Sequence, residues 1–146
     1  MTKRERTQAL RALYAQLPTV RCQRKCGNHC GPIYPADLEK EIIEKRMRRP
    51  LTIRPHPLGD DLPMCSFLTA DGECGCHSVR PIICRLWGAV PEMPCPHGCE
   101  IENPVPEGKW KEFFDEALRI GGREHTDMIR PYVNLANRAL RTLVEQ

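Results

Sequence analysis

The stretch CSFLTADGECGCHSVRPIICRLW, residues 65–87, decides how this chain folds, because it places four cysteines in one short segment rich in turn-forming residues. The other five cysteines flank this segment, so all nine in the chain fall between Cys22 and Cys99. Thiols gathered so densely call for metal ligation, disulfide bonding or oxidation. The choice among these three states determines most of the function that the sequence can predict.

Disulfides are the less favoured interpretation. The N-terminal MTKRERTQAL is charged and lacks the apolar stretch of a secretory signal. No run approaches the roughly 18 apolar residues of a membrane-spanning helix. We therefore expect a cytoplasmic protein without a membrane span, and the cytosol keeps thiols reduced. If the cysteines formed disulfides, their odd number would also leave one thiol unpaired. The pattern therefore favours metal ions or an iron–sulfur cluster.

Apolar side chains at helical spacing, bounded by capping and breaking residues, predict four helices outside the cysteine clusters. Thr2 and Glu5 have the spacing of a capping box in front of the first helix. Residues 51–54 are the one predicted strand, and Asp71 followed by Gly72 predicts a turn. The predicted helices are residues 3–16, a segment that begins at Pro35 and ends before Pro50, a segment around Trp110 that ends at Gly121 and Gly122, and a segment that begins at Pro131.

These elements predict a mainly α fold with little β structure, in which helices surround a loop-rich cysteine and metal centre. The length fits a small single domain, residues 1–146. We expect this domain to consist of an N-terminal helix in residues 1–17, a cysteine-rich metal-binding core in residues 22–99 and a C-terminal helical pair in residues 106–146. Because the core has few large apolar side chains, we expect its stability to depend on bound metal.

The spacing of the cysteines is compatible with metal ligation but not with a simple zinc ribbon. Sulfurs that share one ion must converge within about 4 Å. The first three cysteines, and the last two, Cys95 and Cys99, are separated by three residues each, which allows this. A single residue separates Cys74 from Cys76, and we expect their side chains to point to opposite sides of the chain. The C-x2-C pairs of zinc ribbons are absent.

The central segment resembles the core of the YkgJ-type cysteine-cluster family, also called the CxxCxCC zinc- or iron-chelating domain. The family core reads C-x-x-L, a turn, a further cysteine, and then R-P-x-x-C-R-x-[FWY]. The corresponding residues of this chain are Cys65 and Leu68, then Cys74, then RPIICRLW at residues 80–87. The upstream CQRKCGNHCGP at residues 22–32 is similar to the family's first motif.

The resemblance covers more than half of the chain and implies a metal centre built from eight cysteines. It leaves open whether they hold zinc or an iron–sulfur cluster, and whether there are one or two centres. The implied ligands are Cys22, Cys26, Cys30, Cys65, Cys74, Cys84, Cys95 and Cys99.

The chain departs from the family pattern at two positions. His29 stands beside Cys30 where the family has a pair of cysteines, and it is either a ligand or an exposed loop residue. Cys76 occupies a position that is apolar in the family, so it is expected to be a non-ligating thiol packed as a small hydrophobe. His97 is a lesser candidate for an outer ligand. Trp87 is expected to pack in the core over the site.

Arg80 and Arg85 flank Cys84 and are candidate cofactor-binding residues. A nearby cation lowers the pKa of a thiol and offsets the negative charge of a thiolate site. The alternative is that these arginines pair with the acidic face of the second helix, at Glu39 or Glu41. For Arg85 the role at the site is favoured, and for Arg80 both interpretations stay open.

The function expected from these observations is metal binding, in which eight cysteines hold zinc or an iron–sulfur cluster for a structural, redox or metal-handling role. One alternative is a small cluster-dependent enzyme, methyltransferase-like or redox, since flagellin lysine methylases contain the same domain. This chain is much shorter than those, so whether it is an enzyme stays open, and no catalytic residue is identified.

A second alternative is a module that contacts nucleic acid or protein through basic helices. The formal charge of +3 counts cysteines as neutral, whereas ligating cysteines are thiolates, so the loaded protein would be near neutral. There is no phosphate-binding glycine loop and no alternation of aromatic and basic residues. Nucleic acid is therefore a possible but not a favoured partner, and the sequence identifies no protein partner beyond the metal ion or cluster.

Overall fold

A computed structural model of the protein describes residues 1–23, 33, 35–55, 63–95 and 97–122, with backbone alone at residues 53–55 and 63. Several predictions fall outside the described residues: the expected ligands Cys26 and Cys30, the candidate ligand His29 and the helix that begins at Pro131. Within them, no helix is long and apolar enough to cross a membrane.

Helix α1, Lys3–Ala15, begins at the predicted capping box. The Thr2 N–H donates to Glu5 Oε2 at 2.6 Å, and the Glu5 N–H donates to Thr2 Oγ1 at 3.2 Å. These bonds satisfy amides that have no partner within the helix. The apolar side of α1 buries Leu10 and Leu13.

Helix α2, Asp37–Met47, begins later than predicted. Pro35 was expected at the first helical position, but Ala36 takes the N-cap position, and its N–H donates to Glu39 Oε2 at 2.9 Å. The helix ends at Arg48, which has a left-handed φ of 57° and turns the chain before Pro50.

A two-stranded antiparallel sheet follows, formed by β1, Ile53–Pro55, and β2, Pro63–Cys65. Ile53 lies opposite Cys65 in the register. The predicted strand at residues 51–54 therefore lies slightly too early, and β2 was not predicted. The sheet positions the first cysteine of the central segment.

Helix α3, Ile82–Leu86, is one short turn of helix that carries Cys84. Pro81 is its N-cap, and a single 3-10 turn, His77–Val79, precedes it. Neither element was predicted, because segments this short do not show the periodicity of a helix.

Helix α4, Trp110–Gly121, ends where predicted, at Gly122 with a φ of 87°. Arg6 on α1 donates to the carbonyls of Ile120 and Gly121 at 2.7 and 2.8 Å. Those carbonyls have no helical partner, so Arg6 both caps α4 and joins it to α1.

The apolar side chains form two clusters. The first lies among the four described helices, α1 to α4, and consists of Leu10, Leu13, Leu38, Ile82, Leu86, Val90, Val105, Ala117 and Ile120. The second, which we call the cysteine-side core, consists of Ile33, Ile43, Leu51, Cys65, Phe67 and Cys76. The fold is mainly α in a small single domain with little β structure, as predicted. The C-terminal half of the predicted helical pair lies outside the described residues.

Candidate metal centre

Four cysteines of the central segment come together beside the cysteine-side core, and we call them the first cysteine group. Cys65 ends β2, Cys74 forms an isolated antiparallel bridge with Leu68, and Cys84 lies on α3. Cys65 and Cys76 are buried, with exposed fractions of 4% and 2%. The group consists of Cys65, Cys74, Cys76 and Cys84.

A tight hairpin brings these cysteines together. The Thr69 N–H donates to the Glu73 carbonyl at 2.9 Å, and the turn between them contains Gly72 with a φ of 81°. This confirms the turn predicted at Asp71 and Gly72. The Gly75 N–H then donates to the Phe67 carbonyl at 2.8 Å. The returning chain is therefore held against the segment that begins at Cys65.

The structure contradicts the expectation that Cys74 and Cys76 point to opposite sides. Their Sγ atoms lie 3.8 Å apart. The expectation was wrong even for an extended chain, because residues i and i+2 of such a chain lie on the same side. In this protein Gly75 and Cys76 are in a turn that leads into the 3-10 turn. The Cys76 thiol also hydrogen-bonds to the sulfur of Cys65. Cys76 is thus packed in the cysteine-side core, as expected, and its sulfur also lies beside that of Cys74.

The four thiols affect one another's ionisation. Hydrogen bonds to Cys65 and Cys74, together with burial, raise the pKa of Cys76. The same Cys76 contact outweighs burial and lowers the pKa of Cys74 to about 7. Burial and the nearby sulfurs raise the pKa of Cys84. One thiolate is favoured near neutral pH, but the full set ionises together only if a cation compensates the charge.

The two arginines near Cys84 have different contacts. Arg80 lowers the pKa of Cys74 and Cys84 by its charge, although burial dominates for Cys84. Arg85 donates from Nε to the Arg80 carbonyl at 2.6 Å, and its guanidinium carbon lies 4.1 Å from the centroid of the Tyr14 ring. Arg80 therefore acts on the sulfurs. Arg85 fixes the start of α3 against α1, and its charge also interacts with Cys84. Glu41, considered as an alternative partner, pairs with Lys3 at 2.5 Å.

Glu39 on α2 is a buried carboxylate that the sequence analysis did not identify as part of the site. It is 2% exposed and accepts hydrogen bonds from the Tyr14 hydroxyl at 2.5 Å, the Ile82 N–H at 2.7 Å and the Ala36 N–H at 2.9 Å. Burial raises the pKa of Glu39 in spite of these donors. Because the Ile82 N–H is at the start of α3, Glu39 helps to position the helix that carries Cys84. The sequence analysis considered Glu39 only as a partner of the arginines, and the charge of Arg85 does act on it. Its burial was not predicted, because a glutamate in the first turn of a helix is usually exposed.

The remaining described cysteines form a second cysteine group, Cys22, Cys95 and Cys99. The segment with Cys22 runs antiparallel to the segment after Cys99, with a bridge between Val20 and Ile101. The Gln23 N–H donates to Cys99 Sγ at 3.3 Å.

A turn orients backbone amides toward the sulfur of Cys95. Gly98 has a φ of 68°, and its N–H donates to the Cys95 carbonyl at 3.2 Å. Desolvation would raise the pKa of Cys95, but the amides of Cys99, His97 and Gly98 donate to its sulfur and lower the pKa overall. The Gln23 amide acts in the same direction on Cys99, yet contact with Cys95 and loss of solvation leave its pKa raised.

The structure brings six of the eight expected ligands into two groups and places Trp87 elsewhere than predicted. Trp87 is 40% exposed, so the expectation that it packs in the core is wrong. Among the described residues, no group of three or more His, Cys, Asp or Glu side chains is arranged so that it could hold a metal ion. The side chains of the first group would nevertheless suit a thiophilic metal, because all four end in sulfur.

Comparison with known proteins finds no matching family model, no matching curated protein and no matching solved structure. The resemblance to the YkgJ-type family therefore stays a prediction from the motif residues.

Proposed function

We propose that this protein binds metal through cysteine thiolates, and that the first cysteine group is its principal site. The observation that carries the proposal is the convergence of four thiols from three separate segments. Cys76 hydrogen-bonds to Cys65 and Cys74, and the charges of Cys65 and Cys74 act on Cys84. A folded protein rarely gathers buried thiols in this way without a ligand or a bond to compensate them.

The spacing of the sulfurs favours a single ion over a large cluster. With a Zn–S distance of about 2.3 Å, two sulfurs of a tetrahedral site lie about 3.8 Å apart. Cys74 Sγ and Cys76 Sγ are 3.8 Å apart. In a four-iron cluster each cysteine binds a different iron, so its sulfurs lie farther apart. We therefore favour Zn²⁺ with four thiolates, and an iron–sulfur cluster is the second choice.

The surroundings of the site suit such a bound ion. Four thiolates around Zn²⁺ carry a net negative charge, and Arg80 provides a fixed positive charge close to Cys74 and Cys84. Burial of Cys65 and Cys76 limits access of water and of competing ligands. A closed site of four protein ligands is typical of a structural or storage role. Such thiolates also fit the reducing cytoplasm that we expect for this protein.

The test is the metal content of protein purified under anaerobic conditions. We expect a colourless protein that contains stoichiometric zinc and no acid-labile sulfide. In Cys84→Ser the zinc of this site should be lost, whereas Ser78→Ala, at an exposed position in the preceding turn, should retain it. A brown protein that contains iron and acid-labile sulfide would show that the site holds an iron–sulfur cluster and not zinc. Wild-type protein that binds neither zinc nor iron, even after anaerobic reconstitution, would contradict metal binding altogether.

A further inference from the structure

We infer that Cys74 and Cys76 are a redox-active pair, which reacts with a small disulfide such as glutathione disulfide, closes into an intramolecular disulfide and thereby releases the metal of the first cysteine group. The inference rests on the proposed function, since it assumes that this group binds metal. It adds a reaction that controls the site: the metal is held under reducing conditions and is released when small disulfides accumulate.

The first step is that the two sulfurs are close enough to bond to each other. Cys74 Sγ and Cys76 Sγ lie 3.8 Å apart. A disulfide needs about 2.05 Å between the sulfurs and α-carbons within about 6.8 Å, and a turn brings residues i and i+2 closer together than a strand does. Gly75 and Cys76 are in such a turn, which the hydrogen bond from the Gly75 N–H to the Phe67 carbonyl holds at 2.8 Å. The change from dithiol to disulfide therefore requires rotation of the side chains and little movement of the backbone.

The second step is that the two thiols differ in exposure. Cys74 is half-buried and lies between Glu73 and Gly75, which are both exposed. Cys76 is 2% exposed, and Cys65, which it also contacts, is 4% exposed. An incoming disulfide therefore reaches the sulfur of Cys74 first. Cys76 is shielded from that disulfide but lies in contact with Cys74, which is the position of a resolving thiol.

The third step is the exchange reaction itself. The Cys74 thiolate attacks one sulfur of glutathione disulfide, forms a mixed disulfide with it and expels one glutathione thiolate. The Cys76 thiolate then attacks Cys74 Sγ, forms the protein disulfide and expels the second glutathione thiolate. Two protein thiolates are oxidised and one glutathione disulfide is reduced, so the electrons balance without a further reactant.

The fourth step is that this disulfide removes the metal. Thiolates bind the ion, and the reaction converts two of the group's thiolates into a neutral disulfide. Cys65 and Cys84 alone do not complete a closed four-ligand site, so Zn²⁺ leaves, with no change in its own oxidation state. Reduction of the disulfide by a thiol restores all the ligands and lets the metal bind again.

The experiment treats the zinc-loaded, full-length protein with glutathione disulfide under anaerobic conditions. A chromogenic chelator follows the zinc, and mass mapping of alkylated peptides locates the disulfides. We expect release of about one Zn²⁺ for about two thiols lost, with Cys74 and Cys76 joined within one peptide. Dithiothreitol should reduce this pair and restore zinc binding. Ser78→Ala is the matched control, since it keeps every sulfur and should react at the wild-type rate.

Cys76→Ser tests the resolving step separately. Without the second thiol the reaction should stop at a mixed disulfide between glutathione and Cys74, which peptide mass shows whether or not zinc is bound. An intramolecular disulfide at Cys74 that forms as fast as in the wild type would show that Cys76 is not its partner and would overturn the inference. If this variant does not fold, the disulfide map of the wild type decides.

The wild-type experiment also separates the inference from the proposed function. Zinc-loaded protein in which Cys74 and Cys76 stay reduced, in which Cys76 bonds to Cys65 instead, or in which the pair closes without loss of zinc would overturn the inference while the proposed function stands. Protein that holds no zinc before oxidation would contradict the zinc site of the proposed function, and the inference with it.

Discussion

Cys76 shows how one side chain changes the interpretation of the cysteine motif. By its position in the motif it is the thiol outside the ligand set, but the turn at Gly75 directs it toward Cys74, with 3.8 Å between the two sulfurs. A buried thiol that contacts two other thiols is better explained as a ligand than as a filler of apolar space.

We therefore expect Cys76→Val to lose the metal of the first cysteine group, as Cys74→Val does. Valine is similar to cysteine in size, so the loss would reflect the missing sulfur and not a cavity. Zinc per chain, measured by atomic spectroscopy on the two variants side by side, is the readout. If Cys76→Val keeps wild-type zinc while Cys74→Val loses it, Cys76 is not a ligand.

Gly75 is required for a steric reason. A Cβ at this position would lie 2.6 Å from the Phe67 carbonyl oxygen, which accepts the Gly75 N–H. Gly75→Ala should force the hairpin apart and lower the free energy of unfolding by about 1–3 kcal/mol. Gly108→Ala is a partial control, since it has open space and only its φ of 82° to disfavour alanine. Urea denaturation of both variants gives the comparison, and equal stability for Gly75→Ala and the wild type would contradict the clash.

Among the secondary-structure elements, α3 depends most on its neighbours. It is only five residues long, so it has little stability of its own. Glu39 on α2 accepts the amide of its first residue, and Tyr14 on α1 shares the same carboxylate. Arg85 on α3 lies over the Tyr14 ring. Three helices thus meet at one buried carboxylate, and α3 is held in the position that presents Cys84.

Glu39→Ala should therefore destabilise the fold by about 2–4 kcal/mol, because it leaves several buried donors without an acceptor. It should also weaken metal binding at the first cysteine group, since α3 is less firmly held. Glu41→Ala is the control: it removes an exposed ion pair with Lys3, worth at most about 1 kcal/mol. Chemical denaturation and zinc titration of both variants test this, and equal effects at the two positions would contradict the role of Glu39.

The loss of stability in Glu39→Ala should change with pH in one direction. The folded state raises the pKa of Glu39 above its usual 4.5, chiefly by burial. The stabilisation linked to this shift is complete below the usual value and is lost as the pH rises through the raised pKa. Tyr14 stays protonated in this range, because burial raises its pKa as well. The stability difference between the wild type and Glu39→Ala should thus be larger in mild acid than at neutral pH, and a difference that grows with pH would contradict it.

For the whole molecule, bound metal is expected to supply much of the stability. Cysteines occupy core positions that apolar side chains fill in other domains of this size. Zinc binding to thiolates can contribute on the order of 10 kcal/mol at neutral pH, comparable to the total stability of a small domain.

Removal of all metal with a strong chelator should therefore abolish most of the tertiary structure. Near-ultraviolet dichroism should collapse, because Trp110, which packs against the first apolar cluster and Phe114, would lose its fixed environment, and re-addition of Zn²⁺ should restore it. Unchanged dichroism after complete demetallation would show that the fold is independent of metal.

The sequence by itself determined the features that depend on neighbours along the chain. The capping box at Thr2, the end of α4 at Gly122 and the turn at Gly72 are set by side chains within about four residues, so local patterns predicted them. The density of cysteines also indicated that the centre of the chain would be organised around thiols.

Only the tertiary structure decided how the cysteines are divided. Gln23 and Cys99 are 76 residues apart along the chain, and Glu39 and Ile82 are 43 apart, yet each pair shares a hydrogen bond. Contacts of this kind depend on the path of the whole backbone, which the composition and spacing of a motif do not specify. The orientation of Cys76 was decided in the same way, because it depends on the turn at Gly75 and on the Phe67 carbonyl that holds that turn in place.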